Sequence, residues 1–222
     1  MDAAAHREFK DRLFEQFARV GKALASPKRL EIVDLLAQGE RTVEEISRET
    51  AMSVASASQH LQALKAARMV EARREGLYVH YRLADEDVFR TWQAVRALAE
   101  SRLAELERVV DTYLKDRDAL EALDATELME RLSDDGVIVI DVRPEEEYLA
   151  GHIPGARSVP VGVLEAALQT LPREREVVAY CRGPYCVFSD EAVAFLRARG
   201  YRARRLRQGL PDWREAGMPV EG

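Results

Sequence analysis

The sequence predicts two domains, a mainly α-helical domain over residues 1–118 and an α/β domain over residues 119–222. Apolar residues recur at helical spacing through most of the first part, with one alternating stretch at residues 70–83. In the second part, short apolar strands alternate with helical stretches, which is the pattern of a mostly parallel sheet. The length of 222 residues fits one to two domains of ordinary size.

The composition predicts a cytoplasmic protein. Apolar residues make up 47% of the chain and charged residues 32%, as in soluble globular proteins. No apolar run approaches the ~18 residues that a membrane span needs, and the N-terminus has no apolar signal core. The two cysteines without a secretory signal argue for reduced, chemically used thiols.

Four helices are predicted before residue 70. Apolar spacing from Phe9 to Leu24 predicts the first, and Ser26-Pro27 begins the second, because proline is favoured at the first helical position. The segment Thr42-Val-Glu-Glu45 is a capping box that opens a short third helix. Ser53 is a candidate cap for the fourth helix. The inner face of that helix comprises Ala57, Leu61 and Leu64.

A short helix, a tight turn and a second helix with small polar residues outside form the helix-turn-helix pattern. The alternating residues from Val70 to Leu83 around Glu75-Gly76 predict a β-hairpin beside it. Together these elements predict a winged helix-turn-helix.

This part resembles the ArsR/SmtB family of winged-helix repressors over about residues 8–115. The residues that carry the resemblance are Ser26-Pro27-Lys28-Arg29-Leu30, Met52-Ser53, Ser58-Gln59-His60-Leu61, Leu64, Arg73-Arg74-Glu75-Gly76 and Tyr81-Arg82-Leu83. The resemblance implies a homodimer that binds double-stranded operator DNA, with one recognition helix per subunit in the major groove.

The candidate DNA-binding residues are Ser53, Ser56, Ser58, Gln59, Arg73, Arg74 and Arg82. Ser56 and Gln59 can donate and accept hydrogen bonds at base edges, whereas the three arginines can pair with phosphates. The alternative for each is a solvated surface residue. His60 is expected to be structural.

The charge distribution permits DNA binding although the net charge of the chain is −6. Residues 1–118 contain 20 Lys/Arg and 21 Asp/Glu, whereas residues 119–222 contain 13 and 18. Within residues 50–82 there are five basic and two acidic residues. A locally basic element on a nearly neutral domain can still bind phosphates.

A long helical segment is predicted from Asp85 to Lys115, with an apolar stripe too long for a small domain to cover. We therefore expect a partner chain to pack on it. The connection from Lys115 to Asp124 has no Gly or Pro and is predicted to continue as helix, which would couple the domains mechanically.

No metal or other cofactor is predicted. Residues 1–118 contain no cysteine, and the long helix lacks a His/carboxylate pair at i, i+3 or i, i+4. A site without cysteine, assembled across a dimer, stays open as an alternative.

Both cysteines of the chain lie in one short segment. The apolar residues Val177 to Tyr180 predict a strand, Gly183-Pro184 breaks it, and a helical run follows from Ser189 to Leu196. Cys181 thus falls between a strand end and a helix N-terminus, a setting that lowers thiol pKa and binds anions. The alternative is a small buried apolar residue.

The surrounding motifs resemble a rhodanese domain over about residues 119–222. The residues that carry the resemblance are Asp141-Val-Arg143, Glu147-Tyr148, Gly151-His152-Ile153-Pro154-Gly155-Ala156, the Cys181 loop, Gly209, Trp213, Gly217 and Pro219. The resemblance implies a mostly parallel five-stranded sheet and a cysteine that forms a persulfide. The six residues from Cys181 to Cys186 have the length that the resemblance associates with sulfur transfer. Oxyanion reduction is disfavoured because Val187 stands where a Cys-x5-Arg loop has its arginine.

The candidate catalytic residues are Cys181, Cys186, Arg182, Asp141 and Arg143. Cys181 is the nucleophile, and backbone N–H groups from Arg182 to Cys186 would stabilise the anion. Asp141 and Arg143 would brace or charge the pocket, and His152 is expected to be structural. Cys186 is either a resolving cysteine or a packed thiol.

Together these features predict a DNA-binding transcriptional repressor that responds to a small sulfane-sulfur donor through persulfidation of Cys181. The alternative is a thiosulfate or persulfide sulfurtransferase tethered to a DNA-binding module. A third hypothesis, an idle domain that only binds a partner, is disfavoured by the intact Cys181.

Overall fold

A computed structural model describes residues 3–114, 120–132 and 136–222. Contacts divide the chain into two compact units, one up to Ala94 and one from Val95 onward. The predicted domain boundary at residue 118 lies outside the described residues, and residues 95–114 group with the second unit.

The first unit is built mainly from helices. Its elements are α1 (Ala3–Leu24), α2 (Pro27–Leu36), β1 (Arg41–Thr42), α3 (Val43–Glu49), α4 (Val54–Ala66), β2 (Val70–Glu75), β3 (Tyr78–Leu83) and the first part of α5 (Glu86–Arg102). The predicted capping box is present, because the Glu45 amide donates to Thr42 Oγ1 while Glu45 Oε2 accepts from the Thr42 amide. The predicted inner face of α4 is confirmed, since Ala57, Leu61 and Leu64 are fully buried.

A three-stranded antiparallel sheet of order β1-β3-β2 completes this unit. The predicted hairpin is confirmed, with Val70 paired to Leu83 and Glu75 paired to Tyr78. Gly76 has a positive φ of 60°, which the tight turn needs and glycine supplies without strain. The short strand β1 was not predicted. These elements form the winged helix-turn-helix that the sequence predicts.

The second unit contains a five-stranded parallel sheet of order β4-β8-β7-β5-β6. Its elements are α6 (Ala104–Tyr113), β4 (Ala122–Leu123), α7 (Ala125–Leu132), β5 (Val137–Asp141), α8 (Glu145–Ala150), β6 (Arg157–Ser158), a 3-10 turn (Val161–Val163), α9 (Leu164–Ala167), β7 (Glu176–Tyr180), α10 (Val187–Arg197), β8 (Ala203–Leu206) and α11 (Leu210–Glu215), together with the end of α5. Apolar clusters cover both faces of the sheet. The predicted parallel α/β fold is confirmed.

Two helix predictions are wrong. The segment from Asp85 is not one helix, because Leu103 adopts extended angles (φ −111°, ψ 95°) between α5 and α6. The connection does not continue as helix to Asp124 either: Ala122–Leu123 form β4 and pair with β8. Leu123 is fully buried there, so sheet pairing and burial override local helix propensity. Residues 115–119 of the predicted connector lie outside the described residues.

Within the described ranges, no helix has both the length and the apolar character needed to cross a membrane.

Candidate functional site

The predicted recognition helix is α4, and its serines have different structural roles. Ser53 is the N-cap, because its Oγ accepts a hydrogen bond of 3.2 Å from the Ser56 amide. Ser56 Oγ lies 3.8 Å from the Met52 sulfur and is half-buried, as is Ser58. Gln59 is exposed, as a base-contacting residue must be.

One exposed residue of α4 was missing from the candidates. Gln62 follows Gln59 by three residues and is exposed like it. Residues three apart lie on the same face of a helix, so this spacing could have identified Gln62. The face also carries Ala55, which offers a small apolar contact surface.

The wing arginines are engaged with acceptors within the protein. Arg73 contacts Glu40 at 2.7 Å and Glu75 at 2.6 Å, and its hydrogen bond holds the pKa of the Glu75 carboxyl below its ordinary value. Arg82 pairs with Glu71 at 2.6 Å. Phosphate contact by Arg73 or Arg82 therefore requires exchange of a carboxylate for a phosphate.

Arg73 and Arg74 lie on opposite faces of the hairpin because side chains alternate along a strand. The antiparallel register places Arg82 opposite Glu71 and His80 opposite Arg73, so Arg73 and Arg82 share one face. Arg74 Nε donates to the Gly76 carbonyl at 3.3 Å. The three predicted phosphate-binding residues therefore do not form a single patch.

Helix α1 exposes most of its apolar side chains. Phe9 is 59% exposed, Phe14 64% and Phe17 58%, and only Ala23 and Leu24 are buried. The rings of Phe14 and Phe17 pack edge to face with their centroids 5.7 Å apart, and exposed apolar clusters are typical of interaction surfaces.

The two cysteines meet at the carboxyl edge of the parallel sheet. Cys181 follows β7, and Cys186 is the N-cap of α10. Their sulfurs are joined in a disulfide, and their Cα atoms are 6.1 Å apart. Cys181 is 2% exposed. The Cys186 amide donates to the Gly183 carbonyl at 3.2 Å, so the turn of the loop uses one of the amides predicted to stabilise an anion.

A buried polar cluster supports the strand ends next to Cys181. Asp141, Arg143 and Tyr180 are all fully buried. Arg143 Nη2 donates to Asp141 Oδ2 at 2.6 Å and to the Gly151 carbonyl at 2.7 Å, and the Tyr180 hydroxyl donates to Asp141 Oδ2 at 2.5 Å. Asp141 and Arg143 were predicted either to brace the pocket or to supply charge to it. Because both side chains are fully buried and paired with each other, the structure supports the bracing role.

The electrostatics of this cluster keep Arg143 charged and Tyr180 neutral. Burial disfavours the charge on Arg143, but its hydrogen bond to Asp141 and the carboxylate charge outweigh that effect and raise its pKa. Burial, together with the neighbouring Asp141 charge, raises the pKa of Tyr180 well above its ordinary value. Tyr180 thus remains a neutral donor to Asp141.

The Arg182 side chain is held by a carboxylate of α8. Its guanidinium makes a two-pronged contact with the fully buried Glu147, with Arg182 Nη2 2.5 Å from Glu147 Oε1 and Nε 3.0 Å from the same oxygen. The predicted role of Arg182 concerned its backbone amide, and its side chain binds the loop to α8.

The loop of residues 181–186, here called the active loop, also contacts the second half of α5, a link that the sequence did not predict. The Tyr185 hydroxyl donates to Glu100 Oε1 at 2.7 Å. Arg96 Nη2 donates to Asp212 Oδ1 at 2.5 Å, and Asp212 Oδ2 accepts from the Gly209 amide at 3.2 Å.

Gly209 packs directly against the loop. A Cβ atom at this position would overlap the carbonyl of Arg182 and approach the Gly183 nitrogen. The absence of a side chain at Gly209 therefore permits the close approach of the backbone before α11 to the active loop.

His152 has the structural role that the sequence predicts. Its ring stacks on Tyr148 at a centroid distance of 3.8 Å, Nδ1 lies 3.0 Å from the Tyr148 carbonyl oxygen, and its backbone bridges Glu221. Over the ranges the structure describes, no cluster of three His, Cys, Asp or Glu residues could hold a metal ion.

Comparison with known proteins supports both halves of the sequence prediction. A model of the arsR family of bacterial regulatory proteins matches residues 26–72, and a rhodanese-like domain model matches residues 124–216. The chain is 46% identical over 218 residues to the HTH-type transcriptional regulator Rv0324 of Mycobacterium tuberculosis, covering 98% of this chain and 96% of that protein.

Two shorter relatives each match one half. A sulfurtransferase of Allochromatium vinosum is 34% identical over 100 residues, which are 44% of this chain and 92% of that protein. A homodimeric winged helix-turn-helix DNA-binding domain from Mycobacterium bovis, solved by NMR, is 54% identical, covering 42% of this chain and 87% of that one with a TM-score of 0.40.

Proposed function

The chain belongs to the ArsR family of transcriptional regulators and carries a C-terminal rhodanese domain, and on this premise we propose that it represses transcription in response to reactive sulfur species. In this proposal, persulfidation of Cys181 changes operator affinity. The observation that carries the proposal is the pairing of Cys181 and Cys186 at the carboxyl edge of the sheet. Ligand sites of parallel α/β sheets lie at this edge.

The sensing chemistry has two steps. The Cys181 thiolate attacks the outer sulfur of a sulfane donor, which forms the Cys181 persulfide and releases the rest of the donor with the bonding electron pair. The Cys186 thiolate then attacks Cys181 Sγ, which forms the disulfide and expels hydrosulfide. The proximity of the two sulfurs supports the second step.

On the DNA side, the helix α4 would enter the major groove of a double-stranded operator, with Gln59 at base edges. Arg73 and Arg82 would contact phosphates after releasing their carboxylate partners. Two copies would pair through the exposed aromatic residues of α1, giving a homodimer. The cytoplasm, where operator DNA and reduced thiols coexist, is the compartment this function requires.

The helix α5 would couple the two activities. Val88 and Trp92, in its first half, pack in the core of the first unit. Glu100 and Arg96, in its second half, hydrogen-bond the active loop and α11. A change in the loop that alters these bonds would act on an element of the DNA-binding unit.

The decisive experiment measures operator binding as a function of sulfur loading. Gel shifts with the promoter upstream of the protein's own gene would compare reduced and polysulfide-treated protein, and we expect at least a ~10-fold change in affinity. Cys181→Ser should abolish both the one-sulfur mass increase and the affinity change. Cys186→Ser should still form the persulfide but not the disulfide.

Equal operator affinity of loaded and reduced protein would contradict sensing. Steady turnover of thiosulfate with cyanide in that case would favour the second candidate, a sulfurtransferase tethered to a DNA-binding module. The similarity of this chain to a sulfurtransferase, over 92% of that protein's length, supports this second candidate.

The DNA-contact assignment has its own test. Gln59→Ala should relax sequence preference, because it removes a base contact, whereas Arg73→Ala should weaken binding to all sequences by removing a phosphate contact. Anisotropy titrations with matched and scrambled operators measure both effects. The opposite result, with Arg73→Ala changing specificity and Gln59→Ala not, would contradict the assignment.

A further inference from the structure

An apolar cavity of about 250 Å³, open to solvent along the exposed side chains of Val109 and Tyr113, lies between α6 and the active loop. The helix contributes Leu106, Val109, Val110 and Tyr113, followed by Leu114; Tyr185 comes from the loop and Val187 from the first turn of α10. Tyr185 and Val187 are the immediate neighbours of Cys186. The cavity therefore adjoins the reactive segment and not a remote part of the domain.

The volume of this cavity suits a small apolar group. A dry protein cavity of about 150 Å³ is large enough to bind benzene. At about 250 Å³, this cavity can accept one six-membered ring or an alkyl chain of similar size. It is too small for most drug-sized ligands, whose pockets begin near 300 Å³.

The charges around the loop disfavour a small dianion. Residues 183–188 are uncharged, and the guanidinium of Arg182 is engaged by the buried Glu147. The carboxylate of Glu100 contacts the hydroxyl of Tyr185. Residues 183–188 thus offer no cationic side chain to an inorganic dianion such as thiosulfate, whereas an organic donor can use the apolar cavity.

We propose that this cavity binds the carbon substituent of an organic sulfane-sulfur donor and so selects donors with an apolar substituent. The inference rests on the proposed acceptance of sulfur by Cys181. For a thiosulfonate, the Cys181 thiolate bonds to the terminal sulfur, the S–S bond of the donor breaks, and the sulfinate leaves with the electron pair. The products are the Cys181 persulfide anion and the sulfinate anion, so charge and atoms balance.

The test compares two donors with the same reactive group and the same single charge. Benzenethiosulfonate carries a ring and methanethiosulfonate a methyl group. Their rates of loading the reduced full-length protein are measured by mass spectrometry and divided by their rates with glutathione, which corrects for leaving-group reactivity. We expect the aromatic donor to be favoured about tenfold, or about 1.4 kcal/mol.

Filling the cavity should remove this preference. Val109→Phe places a ring into the cavity from a residue that is 57% exposed, so folding should tolerate the change. We expect the corrected ratio to fall to about one while the methanethiosulfonate rate is kept. Val163→Phe, at an exposed valine outside the cavity, is the matched control and should retain the preference.

Each other outcome overturns the inference. Equal corrected rates in the unsubstituted protein, with loading at Cys181 intact, would refute selection by the cavity and leave the proposed function standing. Failure of both donors to load Cys181 would refute the function and the inference together. If Val109→Phe changed the dimer dissociation constant and not the donor ratio, the cavity would be covered by a second copy of the chain.

Discussion

The hydrogen bond between Tyr185 and Glu100 gives the sharpest test of the proposed coupling between the active loop and DNA binding. Tyr185→Phe removes the hydroxyl that donates to Glu100 Oε1 and leaves the aromatic ring in place. We expect this variant to load sulfur at Cys181 and to bind operator when reduced. The affinity change on sulfur loading should shrink, because the loop loses a direct contact with α5.

The size of the effect follows from the exposure of the two groups. A hydrogen bond to a charged group contributes about 1.5–3 kcal/mol. Tyr185 is 39% exposed, and the Glu100 side chain is also 39% exposed, so water competes for both groups. We therefore expect this hydrogen bond to contribute about 1 kcal/mol to the coupling. This corresponds to about a fivefold loss from the ratio of loaded to reduced operator affinities.

Fluorescence anisotropy with labelled operator measures that ratio for each variant. Glu100→Gln and the double variant complete a double-mutant cycle, in which the second substitution should add little to the first. Tyr113→Phe is the control, because it removes the hydroxyl of a tyrosine on α6 that is 80% exposed. Undiminished coupling in Tyr185→Phe would refute the α5 route. A Gly/Ser insertion near Asp118 that abolished coupling would instead favour the connector.

Further predictions concern the loop supports and the wing. Gly209→Ala should lower the free energy of unfolding by about 1–3 kcal/mol in thermal denaturation, because its Cβ overlaps the loop backbone. Gly183→Ala, whose Cβ meets nothing within 4 Å, should not, and equal losses would contradict this packing. Glu147→Gln should lower the free energy of unfolding by about 1.5–3 kcal/mol in urea titrations, since it weakens charge-assisted hydrogen bonds to Arg182; a wild-type midpoint would exclude that role. Glu75→Gln should tighten operator binding about two- to fourfold by removing one of the two carboxylates that hold Arg73, and unchanged affinity would show that the pair does not compete with phosphate.

Local sequence signals were sufficient for most elements of the fold. The capping box at Thr42, the cap at Ser53 and the glycine turn at Gly76 each fix a few backbone groups through short-range contacts, and all three are present. The β-strand at Ala122–Leu123 was missed because its cause is non-local. It exists through pairing with β8, some eighty residues later in the chain, and two residues carry no periodicity.

The same distinction separates the predicted and the missed parts of the site. The cysteine loop was identified because its strand, break and helix are adjacent in sequence. Its supports were not, because Glu147 and Glu100 lie 35 and 85 residues away in sequence from the loop residues that they contact. A charged residue on a predicted helix gives no indication of its partner, and only the fold brings the two together.

The carboxylates of the wing help to explain how a modest coupling energy could control DNA binding. Because Arg73 and Arg82 are already paired with carboxylates, each phosphate contact replaces one ion pair with another, and its net contribution is small. Fewer net counterions are released than the count of wing arginines suggests, so operator affinity and its salt dependence should both be moderate. A tenfold change in operator affinity requires a differential stability of only about 1.4 kcal/mol between the two states. The hydrogen bond between Tyr185 and Glu100 is of about that size, so the proposed coupling requires no large rearrangement of the loop.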